Sequence, residues 1–138
     1  MIAFAALVLL FQSSPPGWQE SPSDRGPVLS FGPLANAPLS MRCVRPSIIR
    51  VDLGGLHTGE GREPRRVRAQ SGRTSASYPL VFGDNGFTAE IPVSARVMQA
   101  FGQSGRLRIT AAGAELTGEA AGPSEVQVVA AYLQRCAR

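Results

Sequence analysis

His57 is the only histidine in the chain, so any mechanism that needs an imidazole near neutral pH must use it. It sits in Gly54-Gly55-Leu56-His57-Thr58-Gly59, shortly after Asp52, and serines are plentiful. A Ser–His–Asp relay can therefore be drawn on paper, which would make the chain a small envelope hydrolase. The surroundings argue otherwise. No G-x-S-x-G elbow is present, and a general base has to be held rigidly within hydrogen-bond reach of its nucleophile, which a glycine-rich loop does not offer. A solvated loop histidine is the plainer reading. A Cys43–His57 nucleophilic pair falls away if Cys43 is oxidised. Metals fare no better: one histidine, two cysteines and scattered carboxylates make no zinc set. Asp84-Asn85-Gly86 lacks the D-x-[DN]-x-[DN]-G spacing and the closing glutamate of a calcium loop. The expectation is a protein without catalytic residues, metal or cofactor.

Arginine supplies the one chemical cluster. Arg62, Arg65, Arg66, Arg68 and Arg73 fall within twelve residues. If this stretch is a strand, Arg66 and Arg68 share one face while Arg65 points to the other, so only part of the set converges. Glu60 and Glu63 offset some of the charge. The planar guanidinium fork binds oxyanions in pairs, which suits phosphate- or carboxylate-bearing polymers. No aromatic residue lies between Arg62 and Arg73 to stack on bases, so nucleic acid is not the expected partner. The functional reading is an anion-binding segment that meets an anionic envelope polymer or an envelope protein. The bland one is a solvated strand edge whose charge discourages aggregation.

These groups need a scaffold, and the totals bound it. The 138 residues suffice for one domain and not for two separate cores. All 14 basic residues are arginine, and the net charge of +4 is too small to decide a partner. Met1 to Phe11 is uninterrupted apolar and stops at Gln12-Ser13-Ser14-Pro15-Pro16. That run is too short to span a membrane, which needs about 20 residues, and has the length of a secretory signal's apolar region. The expected organisation is a signal peptide over 1–14, a Ser/Pro-rich leader over 15–27 and a single domain over 28–138, with no transmembrane span in the mature chain. The two cysteines agree with export: they show no C-x-x-C spacing, and two lone cysteines at opposite ends of an exported domain read as a Cys43–Cys136 bridge. The expected location is periplasmic or secreted.

Along the chain, glycine and proline are spread rather than clustered, as suits short strands joined by turns. Val28–Phe31 is a strand candidate. Leu39–Val44 puts Leu39, Met41 and Cys43 on one face, Pro46 interrupts, and Ile48–Leu53 resumes. Arg65–Gln70 and Tyr78–Phe82 follow. Gly83-Asp84-Asn85-Gly86 is the clearest turn, with Asn85-Gly86 tolerant of positive φ, and Phe87–Val93 returns with Phe87, Ala89 and Ile91 on one side. Ser94 is placed to cap a short helix carrying Val97, Met98 and Phe101 and stopped by Gly102. Leu107 and Ile109 alternate in the next strand, and Glu115–Gly118 returns after a turn at Ala112-Gly113. Ser124 with Gln127 matches a capping box for a terminal helix in which Val126, Val129, Ala130 and Leu133 lead to Cys136. The predicted fold is mainly β with a C-terminal α-helix (α+β): an antiparallel β-sandwich or half-barrel capped by the terminal helix, plus one short helix near 94–101.

The order of short motifs carries a resemblance. Trp18 with Ser21-Pro22-x-Asp24, Leu39-x-Met41-Arg42-Cys43, Gly105-Arg106-Leu107-Arg108-Ile109, Leu116-x-Gly118 and Leu133-x-x-Cys136 together resemble small exported proteobacterial proteins, mostly of unknown function, among them type VI secretion-associated periplasmic accessory proteins. The resemblance implies a β-rich fold, the same Cys43–Cys136 pairing and a binding role in the cell envelope. Those accessory proteins tend to carry Arg-x-Asp in a central strand, where this chain has Arg66-Val67-Arg68. The functional expectation is an exported, non-enzymatic binding or accessory module of the envelope.

Overall fold

The computed structural model describes residues 17–54, 66–83, 86–111 and 113–138. The expected signal peptide, His57, Arg62, Arg65 and the hairpin tip Asp84-Asn85 lie outside the described residues. Ten strands form two antiparallel sheets: β1 (Trp18–Ser21), β2 (Val28–Phe31), β3 (Ser40–Arg45), β4 (Ile48–Asp52), β5 (Arg66–Ser71), β6 (Thr74–Pro79), β7 (Val81–Gly83), β8 (Gly86–Pro92), β9 (Arg106–Ala111) and β10 (Ala114–Glu119). One sheet runs β1-β2-β3-β4-β8-β7 and the other β10-β9-β5-β6. Two helices, α1 (Arg96–Ser104) and α2 (Pro123–Cys136), complete the described fold with a short 3-10 turn at Leu34–Asn36. This is the predicted mainly β, α+β architecture.

Period-two alternation builds the core. Met41 on β3, Ile49 and Val51 on β4, Ala89 and Ile91 on β8, Val67 and Ala69 on β5, and Leu107 and Ile109 on β9 are all buried, while their neighbours in sequence turn outward. Val97, Met98 and Phe101 of α1 and Val129, Tyr132 and Leu133 of α2 join the same apolar cluster. A one-sided helix stripe has to be covered by another layer, and here both sheets and both helices close on one core.

Several boundaries differ from the sequence expectation. Trp18–Ser21, expected in the leader, is a strand paired with β2 in the register Trp18↔Phe31 to Ser21↔Val28, and Trp18 belongs to the core. The strand expected over Tyr78–Phe82 is split: the chain leaves the small sheet after Pro79 and enters the large one at Val81. Ser94 does not cap α1. Ala95 occupies that position without a side-chain bond, and the helix runs through Gly102 to end at Gly105, whose φ of 71° supplies the left-handed residue that commonly closes a helix. Gly102 instead lets α2 approach, since a Cβ there would lie 3.3 Å from Leu133 Cδ1. The capping box at Ser124 and Gln127 is also absent. Gly122 precedes the helix, Pro123 takes its first position, where a missing N–H costs nothing, and Glu125 accepts from the backbone N–H of Trp18 at 2.8 Å.

A bulge between Cys43 and Arg45 breaks the β3–β4 register. Without it Arg45 would share the inward parity of Cys43; the extra residue turns it outward to Glu90. Glu90 accepts from Arg45 at 2.6 Å and from Arg50 at 3.0 Å, and these two donors hold its carboxyl below the usual range. A depressed folded pKa contributes stability above the unfolded value and loses it as pH falls through the folded one. The Glu90 side chain is 34% exposed, which limits the gain. Glu90→Gln is therefore expected to lower stability at neutral pH by less than about 1 kcal/mol. In urea titrations taken from neutral to acid pH, variant and parent should converge at the acid end.

Candidate anion-binding face

The outer face of the four-stranded sheet brings together arginines from two strands distant in sequence. On β5, Val67, Ala69 and Ser71 point inward, so Arg66, Arg68 and Gln70 point outward. On β9, Leu107, Ile109 and Ala111 are buried and Arg106, Arg108 and Thr110 face out. The register pairs Arg68 with Thr110 and Gln70 with Arg108. Arg68 and Arg108 are therefore diagonal neighbours, within reach of long side chains. β10 adds Glu115, Thr117 and Glu119, and β6 adds Ser75, Ser77 and Pro79.

Counter-charge is unevenly shared. Arg106 pairs with Glu119 at 2.8 Å and Arg108 with Glu115 at 3.4 Å. Arg66 donates to the Ser77 carbonyl at 3.0 Å and Arg68 to the Ser75 hydroxyl at 3.2 Å. Neither Arg66 nor Arg68 has an acidic partner among the described residues. A depression of about 320 Å³ lies beside Arg106 and Arg108, lined as well by Gln70, Gly72, Thr117 and Glu119. Among the described residues the four arginines face two glutamates, a surplus of positive charge, and no aromatic residue stands among the outward-facing side chains of these strands. Such a face can hold oxyanions by paired guanidinium contacts and offers bases no stacking platform.

Of the sequence-predicted cluster, Arg66 and Arg68 lie on one face of β5 and Arg73 lies exposed at the turn between β5 and β6. Arg62 and Arg65 are outside the described residues. Arg106 and Arg108 join this face from outside the predicted cluster, and Arg106-Leu107-Arg108-Ile109 shows the same alternation as Arg66-Val67-Arg68-Ala69. The other predicted pair is present: Cys43 and Cys136 form a disulfide with Cα atoms 5.6 Å apart. It joins β3 to the last turn of α2. Among the described residues no group of three or more His, Cys, Asp or Glu could hold a metal ion, and no helix is long and apolar enough to cross a membrane.

No protein-family model matches this chain, and no curated protein or solved structure matches it at a significant level.

Proposed function

We propose that this chain is an exported, non-enzymatic binding module of the bacterial cell envelope, and that it takes an anionic partner on the outer face of its four-stranded sheet. The observation that carries the reading is the placement of Arg66 and Arg68, side by side and without acidic partners among the described residues, on a face where Arg108 is the diagonal neighbour of Arg68 and Arg106 extends the row along β9. Guanidinium groups held on a rigid strand pair present their donors at fixed spacing, which favours a repeating polyanion over a single soluble ion. The absence of outward-facing aromatics on that face argues for phosphate or carboxylate chemistry rather than nucleobases. The disulfide supports an oxidising compartment. The resemblance to periplasmic accessory proteins of type VI secretion belongs to the same proposal.

The test is binding of the mature protein to labelled inorganic polyphosphate across a salt series. Arg66→Glu with Arg68→Glu is expected to weaken binding at least about tenfold and to flatten the salt dependence, each lost phosphate contact removing roughly 0.7–0.9 from the logarithmic slope. Arg96→Glu with Arg138→Glu reverses the same amount of charge elsewhere on the exposed surface. An equal loss in that control would reduce the effect to net charge and sink the assignment of the face.

A further inference from the structure

A second polar site lies on the opposite layer, on the outer face of the six-stranded sheet. Ser40 and Arg42 of β3, Arg50 and Asp52 of β4 and Thr88 and Glu90 of β8 alternate outward from core residues. They form two cross-strand rungs: Ser40–Asp52–Thr88 and Arg42–Arg50–Glu90. A solvated antiparallel face normally shows scattered, mutually satisfied polar groups. This one is sunk into a cleft of about 330 Å³, to which Arg25 also contributes.

The second rung is unusual because two arginines stand directly opposite each other, an arrangement that disfavours pairing unless the charge is answered. Glu90 answers Arg50 together with Arg45. Arg42 has no carboxylate within ion-pair distance among the described residues, and its Nε is fully buried without a hydrogen-bond partner. On the neighbouring rung, Oδ1 of Asp52 is likewise buried and without a hydrogen-bond partner among the described residues. Burial raises the Asp52 pKa, against the opposing influence of Arg42 and a bond from the Gly54 backbone N–H. A buried donor and a buried acceptor left unmet across one cleft are costly, and the fold does not bring them within ion-pair reach of each other.

We infer that this cleft is a binding site for a small molecule that carries a carboxylate beside a hydrogen-bond donor, as an α-amino acid does. The carboxylate meets the Arg42 guanidinium, with Arg25 at the same cleft, and the ammonium meets the Asp52 carboxylate between the Ser40 and Thr88 side chains. The paired unmet groups select this chemistry. A phosphate ion would meet Arg42 but be repelled by Asp52 and leave its oxygen unmet. A metal cation would find one carboxylate without an arginine partner, already bonded by the Gly54 N–H, and be repelled by the arginines that line the cleft. An α-hydroxy acid offers the same carboxylate with a neutral donor, so the two sources share one recognition chemistry. This site is independent of the arginine face on the other sheet, and either can fail alone.

The experiment is a ¹H–¹⁵N NMR titration of the disulfide-intact protein with the standard α-amino acids, their α-hydroxy analogues and acetate. At least one amino acid or hydroxy acid should shift amides of β3, β4 and β8. Arg42→Gln and Asp52→Asn should each weaken that ligand at least about tenfold, the scale of one lost charge-assisted contact. Whether the ammonium or the hydroxyl compound binds more tightly identifies the source. Asp52→Asn has a second readout. A raised folded pKa means that ionised Asp52 costs stability, so the variant should melt higher than the parent at neutral pH and lose that advantage as pH falls below the unfolded value of 3.8. A variant that melts higher yet no longer binds is the expected signature of a group kept for binding. Shifts confined to other elements, acetate binding as tightly as every other compound, or affinity untouched by both substitutions would overturn the site.

Discussion

Trp18→Ala is expected to destabilise the protein by about 3–5 kcal/mol, a large share of the stability of a domain this size. The indole is 3% exposed. It meets Phe31 and Phe101 edge-on at centroid distances of 5.2 and 4.9 Å, and its Nε1–H donates to the Gly105 carbonyl at 2.7 Å. Alanine would leave a cavity against both rings and remove one of the two donors to the Gly105 carbonyl, which keeps the Ala120 N–H, so the cavity carries most of the cost. The site cannot readily collapse, because the surrounding backbone is fixed by other demands. Gly105 ends α1 in the left-handed region, and Gly118 lies so close beneath the indole that a Cβ there would sit 2.5 Å from Trp18 Cζ2. A melting temperature lower by on the order of 10–20 °C in circular dichroism would fit. Trp18→Phe should recover part of the loss, since it restores ring volume without the donor. In the parent, the emission of this single tryptophan should shift red together with the loss of strand signal. An alanine variant melting within a degree or two of the parent would mean that Trp18–Ser21 is not part of the core.

The same residue shows where sequence reading stops. The alternation of apolar residues made β3, β4, β8 and β9 legible, and with them the fold class, because burying one face of a strand leaves a period of two wherever side chains are large. Trp18-Gln19-Glu20-Ser21 carries one large apolar group in a Ser/Pro-rich context, so nothing local separates it from a leader. Its strand character comes from pairing with β2 and from the pocket formed by Phe31, Phe101 and Gly118. Thr74–Pro79 is hidden for a related reason. It is an edge strand whose inward positions are Thr74, Ala76 and Tyr78, too mixed to produce a stripe. The helix ends depart from the local signals where tertiary demands outrank them: Gly102 is kept for the approach of α2, and the first turn of α2 gives Glu125 to Trp18.

The candidate site was half legible. That Arg66 and Arg68 share a face follows from strand geometry alone. That Arg106 and Arg108 complete the face requires knowing that β5 pairs with β9, about forty residues on, and a pairing of that range leaves no mark on either segment. The cleft around Arg42 and Asp52 was illegible for a further reason. Its two rungs depend on the order β3-β4-β8, and the bulge before Arg45 sends that residue to Glu90 on the same face.

Removing the disulfide by Cys43→Ala with Cys136→Ala is expected to cost up to about 4–5 kcal/mol, the chain-entropy value for a loop of this length. The cysteines are 93 residues apart, so the bridge constrains most of the described chain when it is unfolded. In the folded state the end of α2 has other anchors. Tyr132 donates to the Pro27 carbonyl at 2.8 Å and accepts from the Cys43 N–H at 3.2 Å, and the Cys136 carbonyl accepts from the Ser47 N–H at 2.7 Å. Arg135 pairs with Glu20 of β1. Burial raises the Tyr132 pKa, so its hydroxyl stays protonated and able to donate. With those contacts intact, the helix should remain docked without the bridge, and the loss should fall on the unfolded ensemble. That gives the prediction a second observable. The reduced unfolded chain is more expanded, so the urea dependence of the free energy should steepen while the midpoint falls. A lower midpoint with an unchanged slope and reduced helix signal would mean instead that the bridge holds α2 against the sheet. The polar anchors around Tyr132 would then contribute little alone, and folding of the terminal helix would depend on prior oxidation.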